Sequence, residues 1–288
     1  MKWQGINEFV AVAEKQSFSL AAKNLKISTA QVSRQITALE KRLQIKLFYR
    51  TTRKVSLTQE AQLFYQHCRH LLDDLDSAEQ AITNLQSHPQ GKIKLTAPMS
   101  YGEQKILPLV NDFVALYKDI EVVTELTSHR IDLIEGGFDM AIRMGQLQDS
   151  SLIARKLTQR ATYVCASASY LQKHGQVALI SDLKNHNCLL GTHDAWRFVE
   201  QGKTRSIKVT GSIRCNSGTG LVDAALKDIG IVQLSDYYLQ PYIKSGQLIP
   251  ILEQFREPES AIWAVYPQNR YLSPKIRLLI DYLAEHLN

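Results

Sequence analysis

The sequence predicts an α/β protein that opens with an all-α helix-turn-helix module carrying a wing and continues through one long connecting helix. Three observations carry that prediction. Apolar residues recur at helical spacing three times within the first 43 positions, a 3–4 spaced apolar stripe runs from 61 to 85, and strand-like and helical runs alternate from 92 onward.

The first helix is marked by Ile6, Phe9, Val10 and Ala13, the second by Phe18, Ala21, Ala22 and Leu25, and the third by Val32, Ile36, Leu39 and Leu43. Only Lys26-Ile27-Ser28 separates the second from the third, and Ser28 with Gln31 forms an S-x-x-Q capping pattern. So short a connection is that of a helix-turn-helix. Leu47-Phe48 and Val55-Ser56-Leu57 read as extended chain around the basic loop 50–54, which makes a wing. Thr58 then caps a long helix with Ala61, Cys68, Leu75 and Ile82 at a positions and Phe64, Leu71, Ala78 and Leu85 at d. A stripe this narrow suits a partner helix better than a globular core, although packing on its own domain is the alternative. Ser87-His88-Pro89-Gln90-Gly91 ends the helix. Beyond it, strands are expected at 93–97, 122–126, 140–143, 163–166, 207–215, 229–234 and 261–266. Helices are expected at 103–117, near 131–135, and at 220–227 and 274–287.

Charge is distributed unevenly. Residues 1–57 hold eleven Lys/Arg against three acids, an excess of eight, whereas the remainder, with 23 basic and 25 acidic residues, carries −2. The positive end is the footprint of a polyanion-binding module. The longest apolar run, 261–266, is far short of the roughly 20 residues that a membrane-spanning helix needs. With acids at Glu8 and Glu14 and no apolar secretory segment, a cytoplasmic protein without membrane contact is expected. Cys68, Cys165, Cys188 and Cys215 are widely spaced and suggest neither a zinc site nor a disulfide framework. No nucleophile elbow, phosphate loop or H-E-x-x-H pattern appears, so no catalytic residue, metal or cofactor is expected and the enzyme class falls away.

The motifs in sequence order, Phe9-Val10-Ala11-Val12-Ala13-Glu14, Ser17-Phe18-Ser19, Val32-Ser33-Arg34-Gln35-Ile36 and Leu47-Phe48-Tyr49-Arg50-Thr51-Thr52-Arg53, resemble the N-terminal signature of LysR-type transcription regulators. Leu95-Thr96-Ala97-Pro98, Phe138-Asp139-Met140-Ala141-Ile142-Arg143 and Ala168-Ser169-Tyr170-Leu171 resemble the effector domain of the same family, so the likeness covers essentially the whole chain. It implies a winged helix-turn-helix over 1–57, a linker and dimerisation helix over 58–88, and an effector-binding domain over 92–288. That domain would be two-lobed and periplasmic-binding-protein-like, lobe 1 being about 92–161 and 267–288 and lobe 2 about 162–266, with a small molecule in the cleft between them. It also implies double-stranded operator DNA as partner, a homodimer through the linker helix assembling to a homotetramer, and contact with RNA polymerase if the protein activates. Lys26, Gln44 and Ala61 stand where the family commonly has Gly. A left-handed backbone at Lys26 or Gln44 would carry about 1 kcal/mol of strain.

On the third helix the face opposite Val32, Ile36, Leu39 and Leu43 carries Ala30, Arg34, Thr37 and Lys41, flanked by Gln31 and Ser33. Arg34 could read guanine or hold a phosphate, and Gln31 could read adenine or serve only the cap. Thr29 and Ser33 suit phosphates, and the wing residues Arg50, Arg53 and Lys54 suit backbone or minor-groove contacts. In the effector domain, Ser100 precedes a helix and in the family faces the effector. Thr127 and Ser128 close a strand at its carboxyl end, and Asn216 and Ser217 oppose them from lobe 2. Arg143 could bind a carboxylate, with an ion pair to Asp139 as the structural alternative. Thr192-His193-Asp194-Ala195-Trp196 either lines the cleft or covers it. A small effector, a carboxylate among the options, is expected, and a redox switch using two of Cys165, Cys188 and Cys215 is the alternative.

Overall fold

The structure, a computed structural model, describes residues 3–50, 55–83, 89–147, 151–268 and 272–287. Three helices, α1 (Ile6–Lys15), α2 (Phe18–Leu25) and α3 (Thr29–Leu43), are followed by the wing strands β1 (Phe48–Arg50) and β2 (Val55–Leu57). Their apolar faces converge on one core, in which Phe9, Val12, Ala21, Val32, Ile36, Leu39 and Leu47 are fully buried. Ser17 and Ser28 cap α2 and α3, their hydroxyls accepting the backbone N–H of Leu20 at 3.3 Å and of Gln31 at 3.1 Å. At Gly5, φ is +86° and a Cβ would lie 2.7 Å from the Gln35 carbonyl oxygen, so α1 can meet α3 there only through glycine.

Lys26 and Gln44, two of the three positions where glycine is the commoner residue, adopt φ of 55° and 58°. Each carries the left-handed strain that the sequence led us to expect. Lys26→Gly should stabilise the DNA-binding core by about 0.5 kcal/mol, because roughly 1 kcal/mol of strain is relieved against the entropy gained by the unfolded chain. Gln44→Gly should yield less, since the Gln44 side chain donates to the Lys41 carbonyl at 2.6 Å. Denaturant titrations of both variants check the order.

Helix α4 (Gln59–Thr83) follows, started by Thr58, whose Oγ1 accepts from Ala61 N at 3.2 Å. Its apolar stripe does not serve one partner throughout. Ala61 and Cys68 are fully buried in the N-terminal core, with Phe64, Tyr65 and Leu72 packed beside them. The heptad reading therefore fails over the first turns, because α1 and β2 need a lid and this face of α4 supplies it. Leu71 and Leu75, one turn apart and 44% and 55% exposed, carry the same stripe beyond that core, while Leu63, 53% exposed, lies on the far side of the helix. Of the other expected heptad positions, the Ala78 and Ile82 side chains and all of Leu85 lie outside the description, as do residues 84–88 of the expected linker end.

The first lobe is built on a five-stranded sheet of order β4-β3-β5-β13-β6, with β3 at Gly91–Ala97, β4 at Ile120–Leu126, β5 at Met140–Met144, β6 at Leu152–Arg160 and β13 at Ser260–Pro267. Strands β3, β4 and β5 are parallel, and β13 runs antiparallel to β5 and β6. After β3 come α5 (Met99–Tyr101), a π-helical turn (Gly102–Ile106) and α6 (Leu107–Leu116). Together with the C-terminal helix α10 (Pro274–His286), α6 covers one face, burying Ile93, Leu95, Phe113, Met140, Leu279 and Leu283. The helix expected near 131–135 is instead a turn over 133–137.

The second lobe carries a four-stranded sheet of order β12-β7-β11-β8, formed by β7 (Thr162–Ala166), β8 (Cys188–Leu189), β11 (Ile231–Ser235) and β12 (Ile249–Ile251). Helices α7 (Ala168–His174), α8 (Gly218–Leu226) and α9 (Asp236–Lys244) accompany it, and β9 (Ala195–Glu200) and β10 (Lys203–Lys208) pair as a separate hairpin. The strand expected over 207–215 is thereby confined to the end of β10 and an isolated bridge at Arg214. Because β13 belongs to the first sheet, the chain returns to lobe 1 before Ser260 and not at 267 as the sequence suggested.

Candidate nucleic-acid interface and effector cleft

The core buries one side of α3 and leaves the other to solvent. Thr29, Ala30, Gln31, Arg34 and Thr37 are exposed, and Ser33 is half-buried with its carbonyl accepting the Thr37 hydroxyl at 2.8 Å. Every outward residue read from periodicity thus lies on one free helix face at the basic end of the chain. The wing is held from beneath by Glu40, which is buried, accepts Leu47 N at 3.0 Å and pairs with Lys46 at 3.2 Å and Arg50 at 3.5 Å. The Arg50 guanidinium also sits over the Phe18 ring at 4.6 Å, so this residue supports the base of the wing while remaining partly exposed. Arg53 and Lys54 lie outside the described residues.

In lobe 1 the order β4-β3-β5 means that the chain leaves β3 to one side for β4 and later returns to its other side for β5. The carboxyl ends flanking such a reversal leave a crevice between the loops, the usual ligand position in open α/β sheets. A cavity of about 280 Å³ occupies that place, lined by Pro98, Thr127, Ser128, His129, Arg130, Arg143, Met144, Gln146 and Leu147. The nitrogen-bearing side chains come from two sources: β5 delivers Arg143 at its end, and the loop after β4 delivers His129 and Arg130. Arg143 donates to the Ile131 carbonyl at 3.1 Å. Its pKa is held below the usual arginine value by burial and then by the neighbouring Arg130 charge. A cavity wall that buries one guanidinium beside another favours an anion between them.

Ser128 and Gln146 also line a larger cleft of about 940 Å³ between the lobes, walled on the far side by Thr162, Gly191, Gln233, Ser235 and Tyr238. Thr192, His193, Ala195 and Trp196 line it too, so this loop and the start of the hairpin face the cleft. Where α5 meets α9, burial, reinforced by Asp236, raises the Tyr101 hydroxyl, and burial with Tyr238 raises Tyr237; the two rings meet edge to face at 5.2 Å. Of the residues expected to contact an effector, Thr127, Ser128 and Arg143 come together. Ser100 is half-buried on α5, Asn216 is exposed and Ser217 caps α8 through Gly220 N at 3.3 Å; none of these three lines either cavity. The ion pair considered for Arg143 and Asp139 is replaced by a different one: Asp139 pairs with Arg69 of α4 at 2.8 Å. His129 and Arg130 were not singled out in the sequence, although they follow Thr127-Ser128 directly at the carboxyl end of β4, where the same rule would have found them.

Cys68, Cys165 and Cys188 are buried. Cys165 and Cys188 flank β11, opposite Val232 and Ile231 respectively, and enter the cores on opposite faces of the sheet. Two strand spacings place them roughly 10 Å apart, beyond the reach of a disulfide, whose Cα atoms lie within about 7 Å. Burial pushes both thiols up to about 12. Cys215 is half-buried. Among the described residues no group of three or more potential metal ligands occurs, and no helix is long and apolar enough to cross a membrane.

Comparison with known proteins gives two family matches in chain order. Residues 3–62 match the bacterial regulatory helix-turn-helix protein of the lysR family, and residues 86–288 match the LysR substrate binding domain. An uncharacterised HTH-type transcriptional regulator of Haemophilus influenzae is 34% identical over 96% of this chain and 97% of its own. The HTH-type transcriptional activator TtdR of Escherichia coli is 31% identical over 96% of this chain and 90% of its own. The solved structure of CrgA, a LysR-type transcriptional regulator from Neisseria meningitidis, superimposes with a TM-score of 0.63 at 31% identity, covering 99% of this chain and 98% of that one.

Proposed function

The chain belongs to the LysR family of transcription regulators, and from that premise we propose that a small carboxylate bound at the β4-β3-β5 crevice changes how the protein holds its operator. The observation that carries this reading is the pairing of Arg143 and Arg130 in one cavity wall, with the hydroxyls of Thr127 and Ser128 beside them. Each arginine offers a fork of N–H donors matched to a carboxylate, and the hydroxyls suit its remaining lone pairs. Ser128 and Gln146, shared with the interlobe cleft, would let a longer ligand reach lobe 2.

DNA recognition falls to α3 in this reading. Arg34 and Gln31 face base edges, Thr29, Ala30, Ser33 and Thr37 lie against the groove walls, and Arg50, Arg53 and Lys54 approach the backbone from the wing. Leu71 and Leu75 of α4 form a homodimer seam, and pairs of dimers make the homotetramer. An activating form would meet RNA polymerase while bound to DNA in the cytoplasm. The separation of Cys165 from Cys188 on either side of β11 argues against a redox switch between those two.

The test is a thermal-shift screen of the full chain against small aliphatic and aromatic carboxylates. A ligand present at 100 times its Kd stabilises the folded protein by about 2.7 kcal/mol. Arg143→Met should weaken a hit at least roughly tenfold, the loss of one charge-assisted hydrogen bond. Acids that bind Arg143→Met and Ser128→Ala as tightly as the parent would place the ligand elsewhere.

A further inference from the structure

Helix α4 touches the sensing domain of its own chain as well as the DNA-binding core. Gln66 and Arg69, three residues apart and so on one face, point at lobe 1. Gln66 Nε2 donates to the Glu135 carbonyl at 2.6 Å, and Arg69 Nη2 donates to Asp139 Oδ2 at 2.8 Å and to the Lys92 carbonyl at 3.2 Å. The ion pair is dry, with side-chain exposures of 9% for Arg69 and 1% for Asp139, and Asp139 Oδ2 also accepts Lys94 N at 2.6 Å. At Gly137, where φ is +62°, a Cβ would come within 2.9 Å of Gln66 Cγ, so the helix presses directly on the 133–137 turn.

The segment gripped by α4 is the continuation of the cavity wall. His129 and Arg130 line the cavity, and Ile131 next to them accepts the hydrogen bond from Arg143 at 3.1 Å. The turn under Gln66 comes next, and Asp139 then leads into β5, which carries Arg143 four residues later. Thirteen residues, 131 to 143, therefore form a closed loop whose two ends are tied by Arg143 in the cavity and whose outer side is tied to α4 by Gln66 and Arg69.

We propose that this loop is a latch between the ligand cavity and the linker helix. An anion that engages the Arg143 guanidinium draws it from the Ile131 carbonyl, the untied loop shifts, and Gln66 and Arg69 lose their seats. Polar ties suit such a device, since a buried ion pair deprived of its geometry is strongly unfavourable and the contact is held or lost as a unit. Helix α4 carries the wing and α3 through Ala61, Phe64 and Cys68, so its release from lobe 1 changes the angle at which the recognition helix is presented. The inference rests on the cavity being the ligand site only for its trigger; the ties themselves exist without ligand.

Hydrogen-exchange mass spectrometry on the full-length protein without ligand tests it from both ends. Arg143→Met, which cuts the tie inside the cavity, should speed amide exchange roughly tenfold over 131–139 and also over 62–72 of α4, with lobe 2 unchanged. Gln66→Ala, at a half-exposed position that does not threaten folding, should speed exchange over 131–139. Faster exchange over 131–139 alone in Arg143→Met, or no change there in Gln66→Ala, overturns the latch. If instead no carboxylate binds the full chain while both exchange results hold, the ligand assignment fails and the latch stands.

Discussion

Replacing Leu75 by Asp is expected to convert the proposed dimer to a monomer and to abolish operator protection with it. Leu71 and Leu75 continue the stripe of Phe64 and Cys68 along α4 past the DNA-binding core, and Leu75 is more than half exposed in the single chain. In a two-fold seam each would face its symmetry mate, and a carboxylate placed there is buried without a counter-charge at a cost of several kcal/mol. Two helix-turn-helix modules on one duplex also assist one another through effective concentration, so losing the dimer should weaken operator binding by about 10²-fold or more. Sedimentation and footprinting read both effects. A Leu75→Asp protein that still sediments as a dimer would remove the seam from α4. Cys68→Asp, two turns earlier on the same stripe, should instead unfold the DNA-binding core, because Cys68 is fully buried there.

Arg34→Ala has the second large effect, on discrimination. Arg34 is exposed on the free face of α3 in the first half of that helix, where a recognition helix meets base edges. A bidentate contact to guanine contributes about 1–3 kcal/mol of preference, so operator affinity should fall roughly 10- to 100-fold while binding to random DNA declines only by the loss of one charge. Arg34→Lys separates the two roles open to this residue. Lysine keeps the charge without the planar fork, so it should restore random binding and leave the operator preference low. Full recovery of preference with Lys would show that Arg34 holds a phosphate.

The parts of this fold that were legible in advance are those fixed by neighbours in sequence. Ser28 caps α3 because its hydroxyl reaches Gln31 three residues on, and Lys26 and Gln44 turn left-handed where their helices must stop. The inward face of α3 follows from Val32, Ile36 and Leu39 at helical spacing. What escaped depends on partners far away along the chain. Ala61, Phe64 and Cys68 have the spacing of a coiled-coil seam, yet they cover their own domain, and periodicity does not say which surface an apolar stripe meets. The 131–135 segment has helix-like composition, but Asp132 instead accepts the backbone N–H groups of Ile134 and Glu135 and closes a tight turn. Asp139 lay close enough to Arg143 to suggest an ion pair, whereas its partner is 70 residues earlier on α4. Of the residues expected to meet an effector, Thr127, Ser128 and Arg143 lie at strand ends and line one cavity, while Ser100, Asn216 and Ser217 line neither.

The position of β13 has a consequence for the order in which the chain acquires structure. Strands β6 and β13 are neighbours in one sheet, paired from Arg160 with Ser260 to Leu152 with Pro267, and the whole of lobe 2 lies between them in sequence. Lobe 2 is thus an insertion within lobe 1, and closing the first sheet means joining segments roughly a hundred residues apart, a slow step of high contact order. During synthesis the DNA-binding core and then lobe 2 can form while lobe 1 waits for β13 and α10, its last strand and helix, to leave the ribosome. Until then β5 exposes an unpaired edge beside the apolar surface that α10 will cover, and that interval is when this protein is most open to misassociation or chaperone capture.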